Sequence, residues 1–142
     1  MARLRQHVGD DFVQISFIDM WEMFLVVLVH KDDHPFVRGI RNSSIALGVM
    51  NVVGNKGGLL LEFSIYDHTF SIMNCHLLSG AMKGEKRSDQ MGSIMKGINP
   101  SKIKFEPDAV SDFCMILGDL NYRFKSTFAS YISEVGNAKN DI

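Results

Sequence analysis

Residues 113–117, Phe-Cys-Met-Ile-Leu, form an apolar run that breaks at Gly118 into Asp119, Asn121, Tyr122 and Arg123. Five apolar residues suit a buried strand and are too few for a helix, so this polar set arrives together where a strand meets a loop. The residue types suit a phosphate ester. Asp119 can orient or deprotonate a water, Asn121 can donate to a phosphoryl oxygen, and Arg123 offers a planar fork of donors. A strand followed by an Asn-containing turn with no ligand would also read this way.

The rest of the chain supplies the partners of such a strand. Residues 12–18 alternate apolar and polar (Phe12, Val13, Ile15, Phe17), the pattern of a half-buried strand. Residues 21–29 are almost continuously apolar, which predicts a central strand covered on both faces. The following His30-Lys31-Asp32-Asp33-His34-Pro35 is a turn; its histidines and aspartates crowd like metal ligands but read as a solvated loop. Residues 37–53 are extended up to Gly54-Asn55-Lys56-Gly57-Gly58, where three glycines in five permit close backbone approach. Lys56 in that turn can face a phosphate, although a glycine-rich hairpin needs no ligand. Residues 59–65 and 69–76 flank Tyr66-Asp67-His68 as an antiparallel hairpin.

The second arm of that hairpin ends in Asn74-Cys75-His76-Leu77, which places a histidine at a strand end. Such a histidine is either a structural group or one that stabilises developing charge on a phosphoryl oxygen. Lys83, Lys86 and Arg87 then make a small basic patch at the solvated start of a helix. Met91, Ile94, Met95 and Ile98 fall at helical spacing and define one apolar stripe over residues 85–98. Residues 99–101 stop this helix, 102–111 are a polar connection, and 124–135 carry apolar residues at helical spacing.

Composition narrows the class. The 142 residues allow one domain with a real core, and 46% hydrophobic with 22% charged residues is ordinary globular composition. A net charge of -1 argues against a nucleic-acid-coating or polybasic membrane domain. Cys75 and Cys114 each sit in an apolar run and read as buried free thiols of a reducing compartment. Residues 1–10 are polar and carry no secretory core segment, so the expectation is a cytoplasmic protein, at most peripheral at membranes.

The motifs Gly-Asn-Lys-Gly-Gly (54–58), Asn-Cys-His-Leu (74–77) and Gly-Asp-Leu-Asn-Tyr-Arg (118–123) occur in an order that resembles the inositol polyphosphate 5-phosphatases of the endonuclease/exonuclease/phosphatase superfamily. That resemblance implies an α/β layered sandwich of two mixed or antiparallel sheets, face to face and flanked by helices. It implies that His76, Asp119 and Asn121 are catalytic, that Asn74, Tyr122, Arg123 and Lys56 bind substrate, and that the cofactor is Mg2+. The substrate would be an inositol phosphate or phosphoinositide, with peripheral membrane contact through a lipid substrate and no nucleic acid. Cys75 and Ile116, which depart from the family pattern, are expected at packing positions.

The family also places a magnesium-binding glutamate upstream and an Asp-His motif downstream. Nothing in residues 1–11 matches the former, and no Ser-Asp-His sequence follows residue 123. The expectation is a single partial domain over residues 1–142, truncated at both ends and weak or inactive alone. A non-catalytic phosphoinositide-binding relic using Lys56, Lys83, Lys86 and Arg123, and a phosphodiesterase or nuclease of the same superfamily, are the alternatives.

Overall fold

A computed structural model describes residues 6–47, 55–98 and 111–123. The first two strands, β1 (Phe12–Met20) and β2 (Met23–His30), form an antiparallel two-stranded sheet. Residues Trp21 and Glu22 alone connect them, with Trp21 in the left-handed region (φ 59°). A short 3-10 turn at His34–Phe36 leads to β3 (Val37–Ala46). With β4 (Gly57–Ile65), β5 (His68–His76) and β6 (Phe113–Asp119) it makes a four-stranded sheet in the order β3-β4-β5-β6. The β3–β4 and β4–β5 pairs are antiparallel, and β5–β6 is parallel. Between β5 and β6 runs the helix α1 (Gly84–Gly97).

The layers follow from the side-chain alternation of β4, the centre of the molecule. Leu59, Leu61 and Phe63 point to one face and pack with Met23 and Leu25 of β2, which joins the two sheets face to face. Leu60 points the other way, into a second cluster with Met73, Cys75, Leu77, Ile94 and Ile98, beneath α1. Gly58 permits that approach: a Cβ there would lie 2.6 Å from Ile94 Cγ2. The helical stripe is thus core, with Ile94 and Ile98 fully buried.

The hairpin and the helix α1 lie within a residue or two of where the sequence puts them. Five expectations need correction. The run 21–29 is not a central strand: its sheet has two strands, and Trp21 and Phe24 are about two-thirds exposed. The strand β6 is not buried either, because it is an outer strand exposed along its whole length. Ile116 is therefore half exposed rather than a packing residue, while Cys75 is buried as expected. Cys114, on the same open strand, is exposed; neither cysteine is in a disulfide. Finally Arg87, read as part of a solvated patch, is buried at 2% exposure. The Gly54 position, the connection 102–110 and the apolar spacing of 124–135 lie outside the described residues.

Candidate active site

Strand register brings the three motifs to one end of the four-stranded sheet. Parallel pairing sets His76 opposite Asp119, at the carboxyl ends of β5 and β6. Antiparallel pairing sets the same His76 opposite Gly57, at the start of β4 and next to Lys56. Gly118 is required for the close β5–β6 contact. Its φ is 113°, and a Cβ would lie 2.2 Å from Cys75 O and 2.4 Å from Asn74 Oδ1.

The side chains meet accordingly. Lys56 Nζ lies 2.6 Å from His76 Nε2. An ammonium only donates, so the ring nitrogen accepts. The same Nε2 is 3.7 Å from Asp119 Oδ2. His76 is largely covered and Asp119 is 64% exposed, so the carboxylate faces solvent from a rigid mount. Lys56, His76 and Asp119 form one chain of polar groups.

The two asparagines brace this chain. Asn121 adopts φ 54°, a conformation asparagine tolerates better than most residues. Its backbone N–H donates to Asp119 Oδ1 at 3.1 Å, and its Nδ2 donates to Leu77 O at 3.0 Å. One of its two side-chain N–H groups is therefore committed to holding the loops together, and the other remains for a ligand. Asn74 Nδ2 donates to Phe24 O at 2.8 Å and ties the end of β5 to the other sheet.

That tie introduces a carboxylate that no motif singles out. Glu22, in the β1–β2 turn, lines a cavity of about 220 Å³ together with Phe24, Asn74, His76 and Asp119. Its Oε2 accepts from Asn55 Nδ2 at 3.1 Å, which links it to the glycine turn carrying Lys56. No motif surrounds Glu22; only its position in a two-residue turn beside Asn74 brings it here.

Two further residues expected to bind substrate lie beside the start of α1. Tyr122 and Arg123 line a separate cavity of about 710 Å³ at the start of α1, with Arg87 and Ser88. Tyr122 Oη is 3.3 Å from Ser88 Oγ, and the Arg87 guanidinium lies 5.5 Å from the centre of the Tyr122 ring. Arg87 Nη1 donates to Leu78 O and Gly80 O, fixing the loop that follows His76, and Gln90 Oε1 accepts from Leu78 N at 2.7 Å. The helix is thus a clamp on the histidine loop.

Residues 1–141 match Endonuclease/Exonuclease/phosphatase family 2. The chain belongs to that family. Among curated relatives it is 24% identical over 141 residues to the zebrafish phosphatidylinositol 3,4,5-trisphosphate 5-phosphatase 2A. It is 29% identical over 114 residues to the polyphosphatidylinositol phosphatase INP53 of Saccharomyces cerevisiae. These alignments cover 97% and 80% of the chain but only 11% and 10% of the relatives.

Among solved structures the inositol polyphosphate 5-phosphatase domain of spSynaptojanin superposes with a TM-score of 0.76 at 18% identity, over 97% of this chain and 40% of that one. That domain was crystallised with inositol (1,4)-bisphosphate and a calcium ion. A Cimex nitrophorin shares the fold at TM-score 0.65 and 15% identity, over 99% of this chain and 47% of that one. Such likeness establishes the layered two-sheet fold, and the site has to carry the function.

Among the described residues, no three His, Cys, Asp or Glu side chains group to hold a metal. The cavity offers two carboxylates, Glu22 and Asp119. That donor set fits a divalent cation that takes one or two carboxylates plus substrate phosphate oxygens rather than an all-protein cage.

Proposed function

We propose that this chain carries part of the site of a phosphomonoesterase acting on phosphorylated inositols, free or as lipid headgroups. The observation that carries the reading is the Lys56–His76–Asp119 chain, two groups that can donate to a phosphoryl oxygen beside an exposed carboxylate. The named relatives are phosphoinositide phosphatases, which supports this substrate class. The site opens at a sheet end, with no helix among the described residues long and apolar enough to cross a membrane. A cytoplasmic protein meeting membranes only through a lipid substrate is consistent with both.

The chemistry follows from the geometry. Asp119 orients a water and accepts its proton as the water oxygen bonds to phosphorus. His76, Lys56 and the uncommitted N–H of Asn121 donate to the phosphoryl oxygens, and the ester bond to the inositol oxygen breaks, that oxygen taking up a proton from solvent as it leaves. Mg2+, the ion proposed here, would be held by Asp119 and Glu22 and would neutralise charge on the phosphoryl oxygens.

The test is phosphate release from a 4,5-bisphosphorylated inositol lipid in Mg2+, with Asp119→Ala as control. Slow release is expected from the chain, falling by about 10² or more in the variant, a loss typical of removing a positioned general base. Release at an equal rate in the variant would overturn the assignment. Cleavage of a nucleic-acid diester in place of the monoester would point to the nuclease alternative. Lipid binding that survives the substitution and chelation, with no release, would point to a binding module.

A further inference from the structure

The peptide unit that joins Leu77 to Leu78 is held from both sides by side chains of different segments. Its carbonyl, Leu77 O, accepts from Asn121 Nδ2 at 3.0 Å. Its N–H, on Leu78, donates to Gln90 Oε1 at 2.7 Å. A trans peptide is planar, with its C=O and N–H pointing in opposite directions. Neither bond can swing without moving the other.

This unit sits where the sheet gives way to the loop. Leu77 N donates to Asp119 O at 3.0 Å, which carries the β5–β6 pairing one residue past His76. The Leu77 side chain is fully buried in the cluster with Ile94. Leu78 lies beyond the strands, so its N–H takes a side-chain acceptor. Helical spacing explains which one: Arg87, Gln90 and Ile94, at i, i+3 and i+7, share the face of α1 turned to the sheet. A backbone N–H only donates, so the oxygen of the Gln90 amide faces Leu78. Gln90 is partly buried and lines neither the His76–Asp119 cavity nor the one at the start of α1. Its influence on the site therefore runs through the peptide.

We propose that Gln90 is a positioning residue. Acting through the Leu77–Leu78 peptide, it fixes the carbonyl that holds one N–H of Asn121 Nδ2, and so aims the other N–H at a phosphoryl oxygen. The N–H bond to Gln90 also polarises the Leu77 carbonyl and strengthens it as the acceptor for Asn121. Without Gln90 Oε1, a partly buried N–H is left unpaired. The loop relieves it by turning the peptide toward water, which carries Leu77 O away from Asn121. The consequence for turnover rests on the phosphomonoesterase reading, whereas the link between the two side chains does not.

The experiment compares Gln90→Met, which keeps the length and loses the acceptor, with Gln90→Glu, which keeps an acceptor oxygen. In Mg2+ with a 4,5-bisphosphorylated inositol lipid, Gln90→Met should lower kcat about tenfold at unchanged KM, and Gln90→Glu should stay within about twofold of wild type. In an Asn121→Ala background, Gln90→Met should cost nothing further, because the group it aims is gone. An undiminished loss in that background, or equal losses in the two Gln90 variants, would overturn the positioning role.

The 15N spectrum supplies a readout independent of turnover. The two Asn121 Nδ2 protons, one bonded and one free, should keep their separation in Gln90→Glu and draw closer together in Gln90→Met. Wild-type amide shifts along β4 show that each variant is folded. An unmoved Asn121 pair in folded Gln90→Met would overturn the link. A moved pair, with no phosphate released by the wild-type chain, would sink the phosphomonoesterase reading and leave the link standing.

Discussion

Strands β4 and β6 have similar apolar sequences and opposite fates. Leu59, Leu60 and Leu61 of β4 are 0% exposed, with the two-stranded sheet on one side and α1 on the other. Phe113, Met115, Ile116 and Leu117 of β6 are each more than 40% exposed, because β6 has one neighbouring strand and neither face covered by the described residues. Yet β6 delivers Asp119. The difference separates two jobs: the covered strand determines the fold, and the open strand presents the proposed catalytic carboxylate, aligned by its register with β5. An apolar pattern alone does not tell the two apart.

The largest expected effect tests this contrast directly. Leu60→Ala should cost about 2–5 kcal/mol, because the leucine fills a closed cluster with Met73, Leu77 and Ile94. Ile116→Ala should cost less than about 1 kcal/mol in the same urea titration, as expected of a half-exposed position. Equal losses would mean that β6 is covered in solution, by a second copy or another partner, and the contrast would be broken.

What the sequence disclosed follows the same division. The β4–β5 hairpin was legible because Tyr66-Asp67 interrupts two strongly apolar runs, and α1 because Ile94 and Ile98 keep a helical period. The chain Lys56–His76–Asp119 was legible because its members sit in motifs at strand ends. Burial of Arg87 was not, since the loop carbonyls of Leu78 and Gly80 that draw it inward carry no side-chain signal. Glu22 was invisible for a similar reason: a two-residue turn and the Asn74–Phe24 bond bring it to the cavity.

A middle-sized effect sharpens the contrast through the two thiols. Burial pushes the Cys75 thiol up to about 11, because desolvation disfavours its thiolate. At about pH 8 roughly one molecule in 10³ then carries the reactive form, and the sulfur is enclosed besides. Iodoacetamide should therefore label exposed Cys114 in the folded chain and reach Cys75 only as the chain unfolds. Mass spectrometry of labelled peptides over time reads the outcome. Rapid labelling of Cys75 under native conditions would show that the β5 end, and with it the His76 mount, opens readily.

The smallest expected effect concerns how the open strand is fastened at its other end. Asp112, just before β6, accepts from the Thr69 backbone N–H at 2.7 Å and from its hydroxyl at 2.9 Å. The Asp112 N–H in turn donates to the Thr69 hydroxyl at 2.9 Å. These bonds favour the carboxylate, so the Asp112 pKa in the folded chain lies below its usual 3.8, chiefly through the Thr69 backbone donor. A depressed carboxyl stabilises the fold above the unfolded value, and that contribution disappears as pH falls through the folded one. Asp112→Asn should therefore lower the urea midpoint slightly near neutral pH, and the gap from wild type should close below about pH 3.8. The clamp is fully exposed, so solvent screens it and the shift stays small. A gap that persists unchanged in acid would assign the role to the shape of the turn. Register at Phe113, and hence the pairing of His76 with Asp119 six residues on, would then rest on backbone hydrogen bonds alone.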